Sequence, residues 1–408
     1  MKNLILILIL FLRLTALAQQ ADTLQTKLDS VNLSTVTHPT NSQGIGTRDT
    51  LSFNGQLSAF VLFKLNENGP FIGGRYLPQL NYGINTSNHG KWDMELSLNI
   101  YGIADFSILK DPETDDAFKL YRGWIRYSGE QYEVRLGLQK INFGSASMIR
   151  PLMWFDRIDP RDPLQLTDGV WGVLGRYYFL NNVNLWAWTL YGNEQPSVWE
   201  VVKTNEHIPE FGGRIQFPFY TGELGITYHH RTADSRHLAD LLQVTDWNLA
   251  RIPENKFGID GKWDVEAGLW FEASWTTKTK DLDIFTNQQL INIGADYTFG
   301  IGNGLNAVIE HLTATNSRKA FDFYRPSNFT ALSCSYPFGI TDNISAIIYY
   351  DWPNEKFYNF INWKKQLNSF SFYAICFFNP ETNVLPMSKD VYNMMGGTGL
   401  QIMVVYNH

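Results

Sequence analysis

The sequence predicts an all-β protein: a single transmembrane antiparallel β-barrel of about 18 strands, or 16 if the three weakest segments do not count. Three observations predict it. Polar and apolar residues alternate in segment after segment from about residue 51 to the end. The connections alternate between tight turns and long polar loops, as short periplasmic turns and long external loops would. Aromatic residues make up 15% of a chain whose hydrophobic content is an ordinary 44%, an excess that aromatic girdles at the two membrane surfaces would use.

Residues 1–18 read as a signal peptide. Lys2 supplies the positive start, Leu4 to Leu12 form an apolar run too short to cross a bilayer, and Ala16-Leu17-Ala18 is a small-residue cleavage site. Residues 19–50 hold no Phe, Trp or Tyr and are rich in Thr, Ser, Asn, Gln and Asp, so they are expected as a flexible periplasmic tail. The barrel is expected over 51–408, with strands at 51–63, 75–85, 91–106, 117–128, 131–140, 170–180, 183–193, 209–217 and 223–231. The rest are expected at 254–260, 263–275, 288–299, 304–313, 328–336, 343–351, 356–363, 369–378 and 396–407, the weak ones being 75–85, 254–260 and 356–363. The clearest is 91–106, where Trp92, Met94, Leu96, Leu98 and Ile100 face one way and Asp93, Glu95, Ser97 and Asn99 the other.

Tight turns are expected at 86–90, 129–130, 181–182, 218–222, 261–262, 300–303, 337–342 and 364–368, with Asp260-Gly261 read as a hairpin dipeptide. Long loops fall at 141–169, 194–208, 232–253, 276–287, 314–327 and 379–395, and 235–249 carries enough leucine for a short helix. The last strand alternates Leu400, Ile402, Val404 and Tyr406 with more polar positions. It resembles the C-terminal signal read by barrel-insertion machinery.

The formal net charge is −7, with no basic excess, so no nucleic-acid partner is expected. Cys334 and Cys376 lie in strands not placed side by side, and no disulfide is expected between them. His229, His230 and His237 gather near one strand end without zinc spacing, and no G-x-S-x-G motif occurs. Gly300-Ile-Gly-Asn-Gly304 lacks the Lys-Ser/Thr ending of a phosphate loop and reads as a turn. No enzyme activity, cofactor or metal is expected.

If the more apolar parity meets lipid, Arg122, Arg126, Arg135 and Arg176 point into the lumen as a basic ladder. The opposite placement would cost roughly 2–4 kcal/mol per arginine at mid-bilayer. Glu266, Glu272, Asp296 and Glu310 fall on a distant wall, and opposed walls would set up a transverse field across the water. The loop after the fifth strand carries Arg150, Asp156, Arg157, Asp159, Arg161 and Asp162, stiffened by Pro151, Pro160 and Pro163 and weighted by Trp154 and Phe155. Bidentate Arg–Asp geometry and buried aromatics suit a segment folded inward as a constriction over 145–168, or one packed as a rigid cap on the rim.

Three pieces carry a family resemblance: Arg135-Leu-Gly-Leu-Gln-Lys-Ile-Asn-Phe-Gly144, the loop from Trp154 to Pro163, and the strand from Gly172 through Arg176 to Phe179. They resemble porin-like outer-membrane β-barrels of Gram-negative bacteria, loosely the phosphate-selective and alginate-export types, which often carry an R-x-G-x-Q-x-x-x-x-G strand. The resemblance implies an outer-membrane channel for passive diffusion of small hydrophilic solutes, with lipid around it and the arginines favouring anionic solutes. It also implies an inward-folded third external loop and, by analogy with general porins, a homo-oligomer. Two alternatives stand beside it. A non-conducting barrel in secretion, adhesion or assembly would have its loop arginines and aspartates fully paired. A carbohydrate channel would use Trp154, Trp171, Trp186, Trp188 and Trp199 as stacking faces.

Overall fold

The computed structural model describes residues 49–67, 69–86, 90–106, 113–238, 247–381 and 394–408. The expected signal peptide, nearly all of the expected tail, and parts of the 86–90 turn, the 235–249 segment and the 379–395 loop lie outside the described residues.

Every expected strand is present. They are β1 (Thr50–Lys64), β2 (Phe71–Asn85), β3 (Lys91–Asp105), β4 (Glu113–Ser128), β5 (Tyr132–Gln139), β6 (Val170–Tyr178) and β7 (Asn184–Leu190). After the two-residue β8 (Lys203–Thr204) follow β9 (Glu210–Phe219), β10 (Gly222–Asp234), β11 (Ile252–Asp264), β12 (Gly268–Lys278) and β13 (Asn287–Phe299). The last six are β14 (Leu305–Ser317), β15 (Ser327–Pro337), β16 (Asp342–Asp351), β17 (Lys356–Leu367), β18 (Phe370–Phe378) and β19 (Thr398–Asn407). Neighbours in sequence pair antiparallel, β7 pairs β9 past β8, and β1 pairs β19 from Gln56↔Asn407 to Lys64↔Gly399. The result is a closed 18-strand barrel, with β8 an extra strand paired only to the end of β10. Closure matters because lipid cannot solvate the free N–H and C=O groups of a sheet edge.

The chain clusters into two compact units. One comprises Met1–Glu130, Lys364–Ala374 and Gly399–His408, the other Gln131–Trp363 and Ile375–Thr398. In both, the burial pattern is that of a soluble protein turned inside out. On β3, Trp92 is 45% exposed while Ser97 and Asn99 are buried; on β12, Leu269 is 43% exposed while Glu272 is fully buried. An oily outside and a polar inside is what a strand wall between lipid and a lumen requires. No helix among the described residues is long and apolar enough to cross a membrane.

Two local features depart from simple alternation. Ser97 pairs Arg122 and Leu98 pairs Leu120, so Tyr121 is an extra residue and the register shifts. This bulge explains why Phe118 and Ile125, of opposite parity, are both exposed on the outside. The expected hairpin at Asp260-Gly261 is corrected: β11 runs on to Asp264 and the turn falls at 265–267. Asp260 is an inward strand residue held by both terminal nitrogens of Arg214, at 2.5 and 2.9 Å. Gly261 is there because a Cβ would meet the Trp263 ring at 2.5 Å, a close approach rather than a turn.

The described ends of the 235–249 segment form two 3-10 turns, Arg236–Leu238 and Trp247–Ala250. Leu238 and Leu249 there pack with Val202, Ala233, Ile252 and Leu282. Cys334, on β15, and Cys376, on β18, are free thiols.

Candidate functional site

The segment from Lys140 to Gly169 contains no helix or strand, so its backbone polar groups need partners elsewhere. It finds them on the inner face of the wall. Counted around the ring from β5, the wall strands β12, β13 and β14 stand six, seven and eight places away. Glu310 on β14 accepts the backbone N–H groups of Ser147 (2.6 Å), Met148 (3.1 Å) and Ile149 (2.6 Å), and the Ser147 hydroxyl at 3.0 Å. Glu272 on β12 accepts those of Ala146 (2.6 Å) and Leu152 (3.2 Å). Asn292 on β13 donates to the Ile149 carbonyl at 2.7 Å, and the Trp154 indole donates to Ser274 at 3.1 Å.

Apolar packing completes the attachment. Ile141, Phe143, Leu152 and Trp154 of the loop form one dry core with Leu174, Trp188 and Leu190 of β6 and β7. Gly258 on β11 leaves the room: a Cβ there would lie 2.6 Å from Leu152 and 3.2 Å from the Trp154 ring. A Gly258→Leu substitution is therefore expected to weaken loop packing by about 1–3 kcal/mol. Faster proteolysis of the 140–169 segment in folded, detergent-held protein is the measurement.

The loop's own charges are largely matched. Arg150 donates to Asp156 at 2.7 Å, to the Asn142 side chain at 2.5 Å and to the Phe143 carbonyl at 2.9 Å, and both ions are buried. Burial works to lower the Arg150 pKa, but Asp156, Glu272 and Glu310 outweigh it and leave it raised. Burial lifts the Asp156 carboxyl above its ordinary value in spite of Arg150. Arg161 forks onto Asp159 at 2.8 and 2.5 Å and lies 5.2 Å over the Phe360 ring of β17. Asp162 caps the N–H groups of Leu164 and Leu166, and Arg157 donates to the Pro196 carbonyl in the 191–209 loop.

The arginines expected as a ladder are accompanied by acids. Arg126 forks onto Asp93 at 2.8 and 2.6 Å. Arg135 and Arg176 share Glu133, at 3.8 and 3.1 Å, and Arg176 stacks 3.8 Å over Trp186. Arg122 donates to the Tyr121 carbonyl at 2.6 Å and lies over that ring at 4.0 Å. The expected acidic wall is rearranged. Glu272 and Glu310 are covered by the loop they bind, Asp296 stands half-buried on β13, and Glu266 is exposed in the turn after β11. Glu272 and Glu310 thus spend their acceptor oxygens on loop N–H groups.

Reading from sequence missed a second set of buried polar groups: the ion pairs of Arg214 with Asp260 and of Arg231 and Lys256 with Glu200 and Glu254, and the hydrogen bond of His229 with Glu210. Their signal was charge on the inward parity of β9, β10 and β11. His229 is held by Glu210 at 3.1 Å and by the Trp188 indole at 3.2 Å, His230 bonds Asn255, and the His237 side chain lies outside the described residues. Among the described residues no cluster of His, Cys, Asp and Glu is placed to hold a metal ion. The tryptophans expected as sugar-stacking faces are placed differently. Trp154, Trp188 and Trp199 are buried, Trp171 is exposed on the outside, and Trp186 lies under Arg176.

No family model matches the chain, and no curated protein matches it in sequence. Solved structures do. The chain aligns over 88% of its length with 97% of OccK5 (OpdH) of Pseudomonas aeruginosa, at 10% identity and a TM-score of 0.53. Over the same share it aligns with 98% of OccAB2 of Acinetobacter baumannii (10% identity, TM-score 0.51). It aligns likewise with 96% of OccAB1 of that organism (9% identity, TM-score 0.50). At such identities the likeness is one of fold.

Proposed function

From a fold that is that of the outer-membrane porin barrels, we propose that this chain is a passive channel for small hydrophilic solutes in the outer membrane of a Gram-negative bacterium. One observation carries the reading: the 140–169 loop leaves β5 and is tied by its backbone to a wall as many as eight strands away. Those two attachments support the reading that the segment reaches across the lumen and narrows the passage. Lipid on the outside suits the exposed Val134, Leu136 and Val173. The barrel-insertion machinery and association of copies remain part of this proposal.

The proposal extends to solute charge. Arg135 and Arg176 lie together on the inward parity of β5 and β6, both against Glu133, and guanidinium groups facing a water-filled passage favour anions. In planar bilayers the purified protein is expected to give stepwise current with an anion-side reversal potential in a salt gradient. Arg135→Gln with Arg176→Gln is expected to shift that potential toward zero; an unmoved potential would mean these residues do not set selectivity. A silent bilayer would favour the non-conducting barrel of secretion, adhesion or assembly. Liposome swelling faster with sugars than with organic acids would favour the carbohydrate channel, which the buried tryptophans do not support.

A further inference from the structure

The 191–209 loop, between Leu190 and Glu210, does not rest on the 140–169 loop by apolar contact alone. Arg157 donates to the Pro196 carbonyl. The Trp199 indole donates to the Arg150 carbonyl at 2.7 Å, and the Trp199 carbonyl accepts from Gln288 of β13 at 3.0 Å. Between these ties sits Glu200. Its carboxylate receives the Ser197 N–H at 2.5 Å, Arg231 of β10 at 3.0 Å, and the Lys256 ammonium of β11.

The site is dry. Arg231 and Lys256 are almost fully buried, and so is the neighbouring Glu254, which takes Arg231 at 2.5 Å and Lys278 at 3.2 Å. Three cations therefore stand against two carboxylates, one from the wall and one from the loop. Glu210, the other acid near Arg231, is bonded to His229. Burial works to raise the Glu200 carboxyl, yet Arg231 and Lys256 outweigh it and leave it below the ordinary value. Neutralising Glu200 would leave three buried cations around Glu254, an arrangement that expels the loop.

We propose that Glu200 is a positioning residue for the constriction: it latches the 191–209 loop into the barrel wall, and that loop in turn holds residues 150–157 of the 140–169 loop. The proposal rests on the channel reading for its effect on conduction, while the latch itself is independent of it. Glu200 touches no solute; it acts through Trp199 and the Pro196 carbonyl.

The test uses the full chain in detergent and in bilayers, with Glu200→Gln, Glu200→Asp and Trp199→Phe. Heat-dependent migration on gels reports barrel integrity and is expected to be unchanged, since no pairing among the eighteen barrel strands is touched. Limited proteolysis between residues 191 and 209 is expected to be about tenfold faster or more in Glu200→Gln, because loss of a buried ion pair frees local opening. Glu200→Asp is expected to recover part of the protection. Single-channel records of Glu200→Gln and Trp199→Phe are expected to flicker among levels where wild type is steady. Wild-type protection and steady wild-type current in both variants would overturn the latch. A wild type that never conducts, with proteolysis accelerated as expected, would overturn the channel reading and leave the latch standing.

Discussion

Replacing Glu310 with leucine is expected to release the inward loop from its wall while the barrel stays closed. The buried Glu310 carboxylate is the acceptor for three consecutive backbone N–H groups, those of Ser147, Met148 and Ile149, the last two on buried residues. Leucine fills much of the same volume and accepts nothing. Each stranded donor costs about 1–3 kcal/mol, so the attachment loses several kcal/mol in all. Asn292 and Glu272 would still hold the segment through the Ile149 carbonyl and the Ala146 and Leu152 N–H groups, beside the Trp154–Ser274 bond and the apolar core. Hydrogen exchange at 147–149 is expected to accelerate by about a hundredfold or more, since each 1.4 kcal/mol is a factor of ten. Single-channel conductance is expected to rise, and larger solutes to pass. Glu310→Gln keeps one acceptor oxygen and is expected to fall between. Unchanged exchange in the leucine variant would mean that the loop is held by its apolar core.

The second large effect is expected at Arg150. Arg150→Met leaves the Asp156 carboxylate buried with its cation gone, and strips donors from Asn142 and the Phe143 carbonyl. Breaking a buried pair by removing one partner costs about 3–5 kcal/mol. Because the pair sits inside the loop, the cost falls on loop order and not on strand pairing. The double variant Arg150→Met with Asp156→Leu removes both charges and is expected to recover a substantial part of the loss. Exchange or proteolysis on wild type, both single variants and the double variant closes a double-mutant cycle. Additive effects would show that the two ions are not coupled, against the geometry.

Strand positions were legible because alternation is a local property with a period of two. Trp92 and Leu96 against Ser97 and Asn99 need no knowledge of the rest of the chain, and neither do the arginines placed inward on β4, β5 and β6. Places where local reading went astray have long-range causes. Asp260-Gly261 has the composition of a turn, yet Arg214, far earlier in the chain, holds Asp260 in the strand, and the close approach of Trp263 calls for the glycine. The bulge at Tyr121 shifted parity within one strand and is visible only against its partner β3.

The carboxylates make the same point for the site. Glu272 and Glu310 stand on the polar parity of their strands, and both are fully buried. Their partners in the 146–152 backbone lie more than a hundred residues earlier in the chain, and no window around either glutamate contains them. Glu200 is similar: in sequence it is one acid in a polar loop, and in space it faces two buried cations from different strands.

The sequence by itself determined that this chain is a closed two-faced wall, because which side of a strand is oily is written in every second residue. Only the tertiary structure decided which inward charges meet water and which are spent holding two loops in place. That depends on packing and hydrogen bonds between segments far apart in the chain, where desolvation makes every buried ion find a partner.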